Sequence, residues 1–174
     1  MLNLTQKDRL FCLRWTLAIA STLTVCSLLG PVGILLGPIA IAVAQGIALR
    51  HYWHQAILWS FATVIGGYVM LVAFTGLFFW PIMPLSAMVL TCGMLWGLAQ
   101  SFVLRVETPQ WWQWPLISGG ALLLSSGWLV PMTVNAVTYG SLRPGWHWTG
   151  LVAITGLIKG SLTGLALAWM LPQR

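Results

Sequence analysis

The chain has 174 residues, 59% of them hydrophobic and only 6% charged, against about 25% charged in an ordinary soluble domain, which excludes a water-soluble globule. A formal net charge of +6 invites a nucleic-acid partner, but eight Lys and Arg spread singly along the chain build no basic patch, and that class is excluded too. A helix crossing a hydrocarbon core about 30 Å thick needs roughly 20 apolar residues, so the length accommodates about six such helices and no soluble domain.

The first span is predicted near 11–29, behind Lys7, Arg9 and Arg14. Its outline is that of a signal peptide, and Leu23, Thr24, Val25 and Cys26 imitate a lipoprotein cleavage box. Val25 stands where such boxes carry a small residue, so the segment is expected to be retained as a helix. Gly30 and Pro31 break it from a second span at 32–49, which closes at Arg50. The third span is predicted at 56–79, the fourth at 85–104 beyond Trp80, Pro81 and Pro84, the fifth at 116–134 and the sixth at 148–171. The expected fold is all-α, a polytopic transmembrane bundle forming a single domain over 1–174.

An even number of spans returns both chain ends to one side of the membrane. That side then holds Lys7, Arg9, Arg14, Arg50, Arg105 and Arg174, leaving Arg143 alone opposite. The positive-inside rule therefore predicts cytoplasmic termini. Most of the 12 Trp, including Trp15, Trp53, Trp59, Trp80, Trp111, Trp112, Trp114, Trp146 and Trp148, stand near span ends and are expected to anchor at headgroup level. Cys12, Cys26 and Cys92 each lie in an apolar run, without the spacing of a disulfide framework or zinc site, and read as buried thiols.

The segment Ala44, Gln45, Gly46, Ile47, Ala48, Leu49, Arg50 recurs 55 residues later as Ala99, Gln100, Ser101, Phe102, Val103, Leu104, Arg105, with Trp59 and Trp114 at the same offset. A weaker third copy matches Gly93, Gly97, Leu98, Ala99 and Leu104 to Gly160, Gly164, Leu165, Ala166 and Leu171, with Leu167 in place of the Gln. The chain thus divides into three hairpins at approximately 11–50, 56–105 and 116–174, a parallel rather than inverted repeat. Gly33 with Gly37, Gly93 with Gly97, and Gly156 with Gly160 and Gly164 are spaced by four, ridges that let helix backbones approach where lipid removes the hydrophobic drive to associate. They place the even-numbered spans in the bundle interior.

The pattern of Gly or Ala, two residues, Gln, three residues, Leu, Arg, with Trp downstream, resembles that of a group of uncharacterised multi-span bacterial membrane proteins, cyanobacterial ones among them. The closing run Leu162 to Leu171 is similar to theirs, while Leu167, Pro172 and Gln173 depart from the pattern. The resemblance covers about half the chain and implies architecture and a bacterial inner or thylakoid membrane, with no activity to carry over.

Lys159 is the one charge deep inside a span, near the midplane, and an intramembrane charge is by default a functional-site hypothesis. The only acids, Asp8 and Glu107, are expected outside the bilayer, so its ammonium must meet backbone carbonyls or an anionic ligand or partner. Gln45 and Gln100 lie about 7 Å inside the Arg of their copy, where an amide needs a partner; hydrogen bonding between the repeats supplies one, and a shared polar site is the alternative. Arg50 and Arg105 read as topology anchors that meet anionic headgroups. His51 and His54 have a spacing open to a metal or porphyrin, yet no third ligand is in view, so they read as interfacial, and His147 between Trp146 and Trp148 reads the same way. No metal or other cofactor is called for.

The spans contain no Asp, Glu or His pair and no Ser in a nucleophile motif, so an enzyme is not expected. The expectation is a structural, assembly or interaction subunit whose partners are the lipid bilayer and other membrane-protein subunits. Transport or capture of a small solute is the alternative, the six-span length being similar to that of substrate-capture subunits of energy-coupling-factor vitamin transporters without sharing a motif.

Overall fold

The structure, a computed structural model, describes residues 5–79, 84–126 and 146–171, the side chains at 77–79 and 146–147 excepted. Thr5 sets the start of helix α1 (Gln6–Leu28). Its hydroxyl accepts the Asp8 N–H at 3.2 Å while the Asp8 carboxylate accepts the Thr5 N–H at 2.9 Å. This reciprocal cap satisfies donors that a helix end otherwise leaves open, so the helix begins ahead of the predicted position 11. Gly30, at φ 57°, turns the chain in a conformation that costs a residue with a Cβ, and Pro31 opens α2 (Pro31–Leu49) with its φ already set for helix.

Pro38 lies inside α2 and has no N–H to give the carbonyl one turn back. The third helix bonds to the same turn: the Tyr68 hydroxyl donates to the Leu35 carbonyl at 2.9 Å. A Cβ on Gly67 would come within 2.7 Å of the Pro38 ring, so only glycine lets α3 (Ala56–Phe79) lie this close. Helix α4 spans Leu85–Leu104, a short 3-10 turn covers Trp111–Gln113, α5 is described over Trp114–Ser126, and α6 spans Trp146–Met170. Five of these helices are long and apolar enough to cross a membrane. The remainder of the fifth predicted span lies outside the described residues, as do Trp80, Arg143 and Arg174.

The α2–α3 and α4–α5 connections open with the same hydrogen bonds and diverge only where the second enters its 3-10 turn. Arg50 N–H donates to Gly46 O at 2.9 Å and Arg105 N–H to Ser101 O at 3.0 Å. Trp53 and Thr108 then donate to Leu49 and Leu104, at 2.9 and 3.0 Å, before Ala56 and Trp111 close on Trp53 and Thr108 at 3.3 and 3.4 Å. The partners in these three pairs of bonds are displaced by 55 residues.

Each helix packs on its neighbours in chain order and α6 returns to α1, closing an all-α ring. The glycines mark the tightest approaches. A Cβ at Gly93 would come within 2.8 Å of the Gly119 Cα, and one at Gly97 within 2.9 Å of the Pro115 Cα, so α4 meets α5 nearly backbone to backbone. Gly156, Gly160 and Gly164 face Ala20, Thr16 and Trp15 in turn, an antiparallel order that brings the start of α1 and the end of α6 to the same end of the ring. Gly33 abuts the Cys26 carbonyl across the Gly30 turn. Gly37 departs from the helix-packing expectation, because the space where its Cβ would stand is open.

The even-numbered helices α2, α4 and α6 bury more of their length than α1 and α3, but the odd ones do not form a shell around them. In a six-membered ring every helix turns one face to the axis, and α1, α3 and α5 each place an indole there, Trp15, Trp59 and Trp114, at 0%, 0% and 1% exposure. The polarity is that of a protein built for lipid. Gln45, Thr63, Gln100, Ser118, Lys159 and Thr163 are buried, while Val72 and Ile57 on the outside are 74% and 71% exposed. Such a surface in water is an aggregation liability, whereas in a bilayer it is the solvated face.

Candidate functional site: a polar seam on the bundle axis

Three buried indoles each donate to a polar side chain on an adjacent even-numbered helix. Trp59 Nε1 donates to Gln45 Oε1 at 2.9 Å, Trp114 Nε1 to Gln100 Oε1 at 2.9 Å, and Trp15 Nε1 to Thr163 Oγ1 at 3.0 Å. The rings also meet edge to face, Trp15 on Trp59 at 6.1 Å and Trp59 on Trp114 at 5.4 Å between centroids, the geometry that opposes the positive edge of one ring to the negative face of the next.

The two glutamines meet. Gln100 Nε2 donates to Thr63 Oγ1 at 2.8 Å and to Gln45 Oε1 at 3.4 Å, while the Thr63 hydroxyl donates to Gln45 Oε1 at 3.0 Å. Gln45 Oε1 therefore collects donors from two other helices, and in hydrocarbon those donors have no water to turn to.

Lys159 stands at the centre of α6, 11 residues from Trp148 and 11 from Met170, hence about 16 Å from each. Its side chain turns inward, the residue being 8% exposed, and Nζ lies 4.0 Å from the centroid of the Trp96 ring. An ammonium over an indole face is attracted by the ring quadrupole, by about 2 kcal/mol or more where water is excluded. Within the chain, what the ammonium meets is the aromatic face of α4 and not a carboxylate. Asp8 and Glu107, the chain's two acidic side chains, are engaged with Thr5 and with His54 and Gln55.

Beside Lys159 the axis holds a cavity of about 10 Å³, bordered also by Gln45, Gln100, Trp96, Ser118 and Thr163. That is close to the smallest space able to hold one water. Trp96 also borders a second, apolar pocket of about 220 Å³ with Gly33, Gly37, Pro38 and Met70, and its Nε1 is buried with no hydrogen-bond partner among the described residues.

At the basic end, Arg50 and Arg105 are both exposed. Arg50 Nε donates to His51 Nε2 at 3.1 Å, and the Arg105 guanidinium lies 5.7 Å from the centre of the Trp111 ring. His54 Nε2 is 3.4 Å from Glu107 Oε1, and Gln55 Nε2 donates to the same oxygen at 3.5 Å, tying the two related loops together. His51 and His54 thus turn to different partners, and no group of three His, Cys, Asp or Glu is placed to hold a metal among the described residues. The His147 side chain lies outside the described residues. Of the cysteines, Cys92 is buried, whereas Cys12 and Cys26 are partly exposed.

Sequence reasoning missed Thr63, Trp96 and Thr163, and it assigned the indoles of Trp15, Trp53, Trp59 and Trp114 to headgroup anchoring, although all four are buried. Position near a span end does not say which way a side chain points, and in a ring the axis competes with the interface for an N–H donor. The equal spacing of 14 from Gln45 to Trp59 and from Gln100 to Trp114 was the available signal. No protein-family model, no curated protein and no solved structure matches the chain.

Proposed function

We propose that the chain is a non-enzymatic integral membrane protein that acts by binding other membrane components, as a structural, assembly or interaction subunit of a complex. The observation carrying this reading is that Gln45, Thr63, Gln100, Thr163 and the indoles of Trp15, Trp59 and Trp114 spend their polar atoms on one another along the axis. They leave about 10 Å³ among them, too little for a solute beyond a single water. The capacity left for binding is then on the outer surface of the ring. Membership of the bacterial group with the repeated Gln–Leu–Arg pattern, a threefold parallel repeat, close packing at the glycine ridges, a bacterial inner or thylakoid membrane and cytoplasmic termini belong to the same proposal. The sequence periodicity and the six-to-one distribution of Lys and Arg support them.

Capture or transport of a small solute is the second reading, favoured by one feature. Trp96, with its unpartnered Nε1, borders both the cavity beside Lys159 and the 220 Å³ apolar pocket, a path along which a small anionic or neutral molecule would meet a donor and then a cation.

Purification in mild detergent, with identification of the proteins, lipids and small molecules that remain bound, separates the two. The association reading expects co-purifying membrane proteins whose retention survives Lys159→Met, because that side chain is enclosed. A lone chain holding a small molecule that Lys159→Met releases would overturn it in favour of capture.

A further inference from the structure

On the outer side of the ring, α1 and α2 leave a cleft of about 610 Å³. Its lining combines the small Ala18 and Ser21 of α1 and Ala44 of α2 with the larger Leu17 and Ile47. One end carries Arg14, Arg50 and His51, all exposed. From Arg14 to Ser21 the cleft runs seven residues along α1, about 10 Å from the basic end toward the midplane.

Charge and shape point to one kind of occupant. No carboxylate lines the cleft, so two guanidiniums share one end of it with no anion of the chain's own. Arg14 makes no hydrogen bond or ion pair among the described residues, and Arg50 commits only Nε, to His51, leaving its two Nη groups for a bidentate oxyanion. The rest of the cleft is apolar. An empty apolar gap forfeits dispersion contact with nothing in return, and in a bilayer the molecule at hand to fill it is an acyl chain.

We infer that the α1–α2 cleft is a site for one anionic phospholipid, its phosphate held by Arg14 and Arg50 and one acyl chain lying between Ala18, Ser21 and Ala44. His51, as acceptor for Arg50, orients the fork. The inference rests on the association reading in that it takes the outer surface of the ring to be the binding surface, and names one ligand there.

The test is native mass spectrometry of the full chain released from detergent containing equal phosphatidylglycerol and phosphatidylcholine. The expected result is preferential retention of phosphatidylglycerol. Arg14→Gln with Arg50→Gln should cut that preference about thirtyfold, two interfacial cations' worth. Arg105→Gln, a charge at the same end but outside the cleft, should leave it intact. Ala44→Leu fills the cleft without altering a charge and should also lower retention, which covers the case in which the double variant fails to fold. Equal retention of the two lipids, or an equal loss on Arg105→Gln, overturns the site. So does full displacement by inorganic phosphate, the mark of a soluble-anion site, or a dimer that Ala44→Leu abolishes without changing lipid retention, the mark of a second copy in the cleft. The lipid result is read on the isolated chain, so absence of co-purifying proteins would defeat the association reading without touching it.

Discussion

Gln45 is the residue on which the polar seam depends, since its one oxygen accepts from Trp59 at 2.9 Å and Thr63 at 3.0 Å, with Gln100 at 3.4 Å. Gln45→Leu should leave the Trp59 N–H without an acceptor in a site water does not reach, costing about 1–3 kcal/mol, read as a lowered midpoint in a detergent melt. Thr63→Val removes the donor to Gln45 and the nearer acceptor of the Gln100 amide, which keeps Gln45 Oε1 at 3.4 Å, and leaves the indole bond in place, so its cost should be smaller, the ~0.6 kcal/mol typical of an interhelical bond in a membrane for each of the two bonds. An equal drop for the two variants would falsify the ranking. The Lys159–Trp96 contact predicts a coupling: Trp96→Leu should destabilise more when residue 159 is Lys than in a Lys159→Met background, by about 0.5–2 kcal/mol. Additive effects in that double-mutant cycle would remove the ammonium–indole attraction from the account.

At the scale of helices, glycine decides where backbones can touch. Leucine at Gly97 would drive into Pro115 and Ser118, and at Gly164 into the Trp15 ring, whereas Gly76 has nothing within 4 Å of its missing Cβ. Gly97→Leu and Gly164→Leu should therefore each cost about 1–3 kcal/mol, and Gly76→Leu close to nothing, in the same melting assay. Equal tolerance at all three would sink the packing argument. Gly66, Gly67 and Gly119 are equally close-fitted, against the Trp96 carbonyl, Pro38 and the Leu90 carbonyl. The four-residue spacing does not single them out, because each is fitted to a particular feature of its neighbour rather than forming a ridge of its own.

For the whole molecule, the ring gathers Lys7, Arg9, Arg14, Arg50 and Arg105 at the end where α1 begins and α6 finishes. If that end is cytoplasmic, as the positive-inside rule requires, a cysteine introduced by Ser141→Cys should react with an impermeant thiol reagent added outside intact cells. Labelling only after lysis would reverse the orientation.

The existence of the spans and their all-α class were legible in the sequence, because crossing hydrocarbon demands long uninterrupted apolar runs and leaves the backbone little alternative to helix. The predicted spans 32–49, 56–79 and 85–104 stand beside helices Pro31–Leu49, Ala56–Phe79 and Leu85–Leu104. The start of α1 was less so, since a cap made by Thr5 and Asp8 carries no hydropathy. What tertiary structure alone decided is direction. Whether Trp15, Trp59 and Trp114 face headgroups or the axis, and which side chains of the chain Lys159 meets there, depends on closure of the ring by α6 on α1. That contact joins residues 148 positions apart, as between Trp15 and Thr163, and a pattern read along the chain does not contain it.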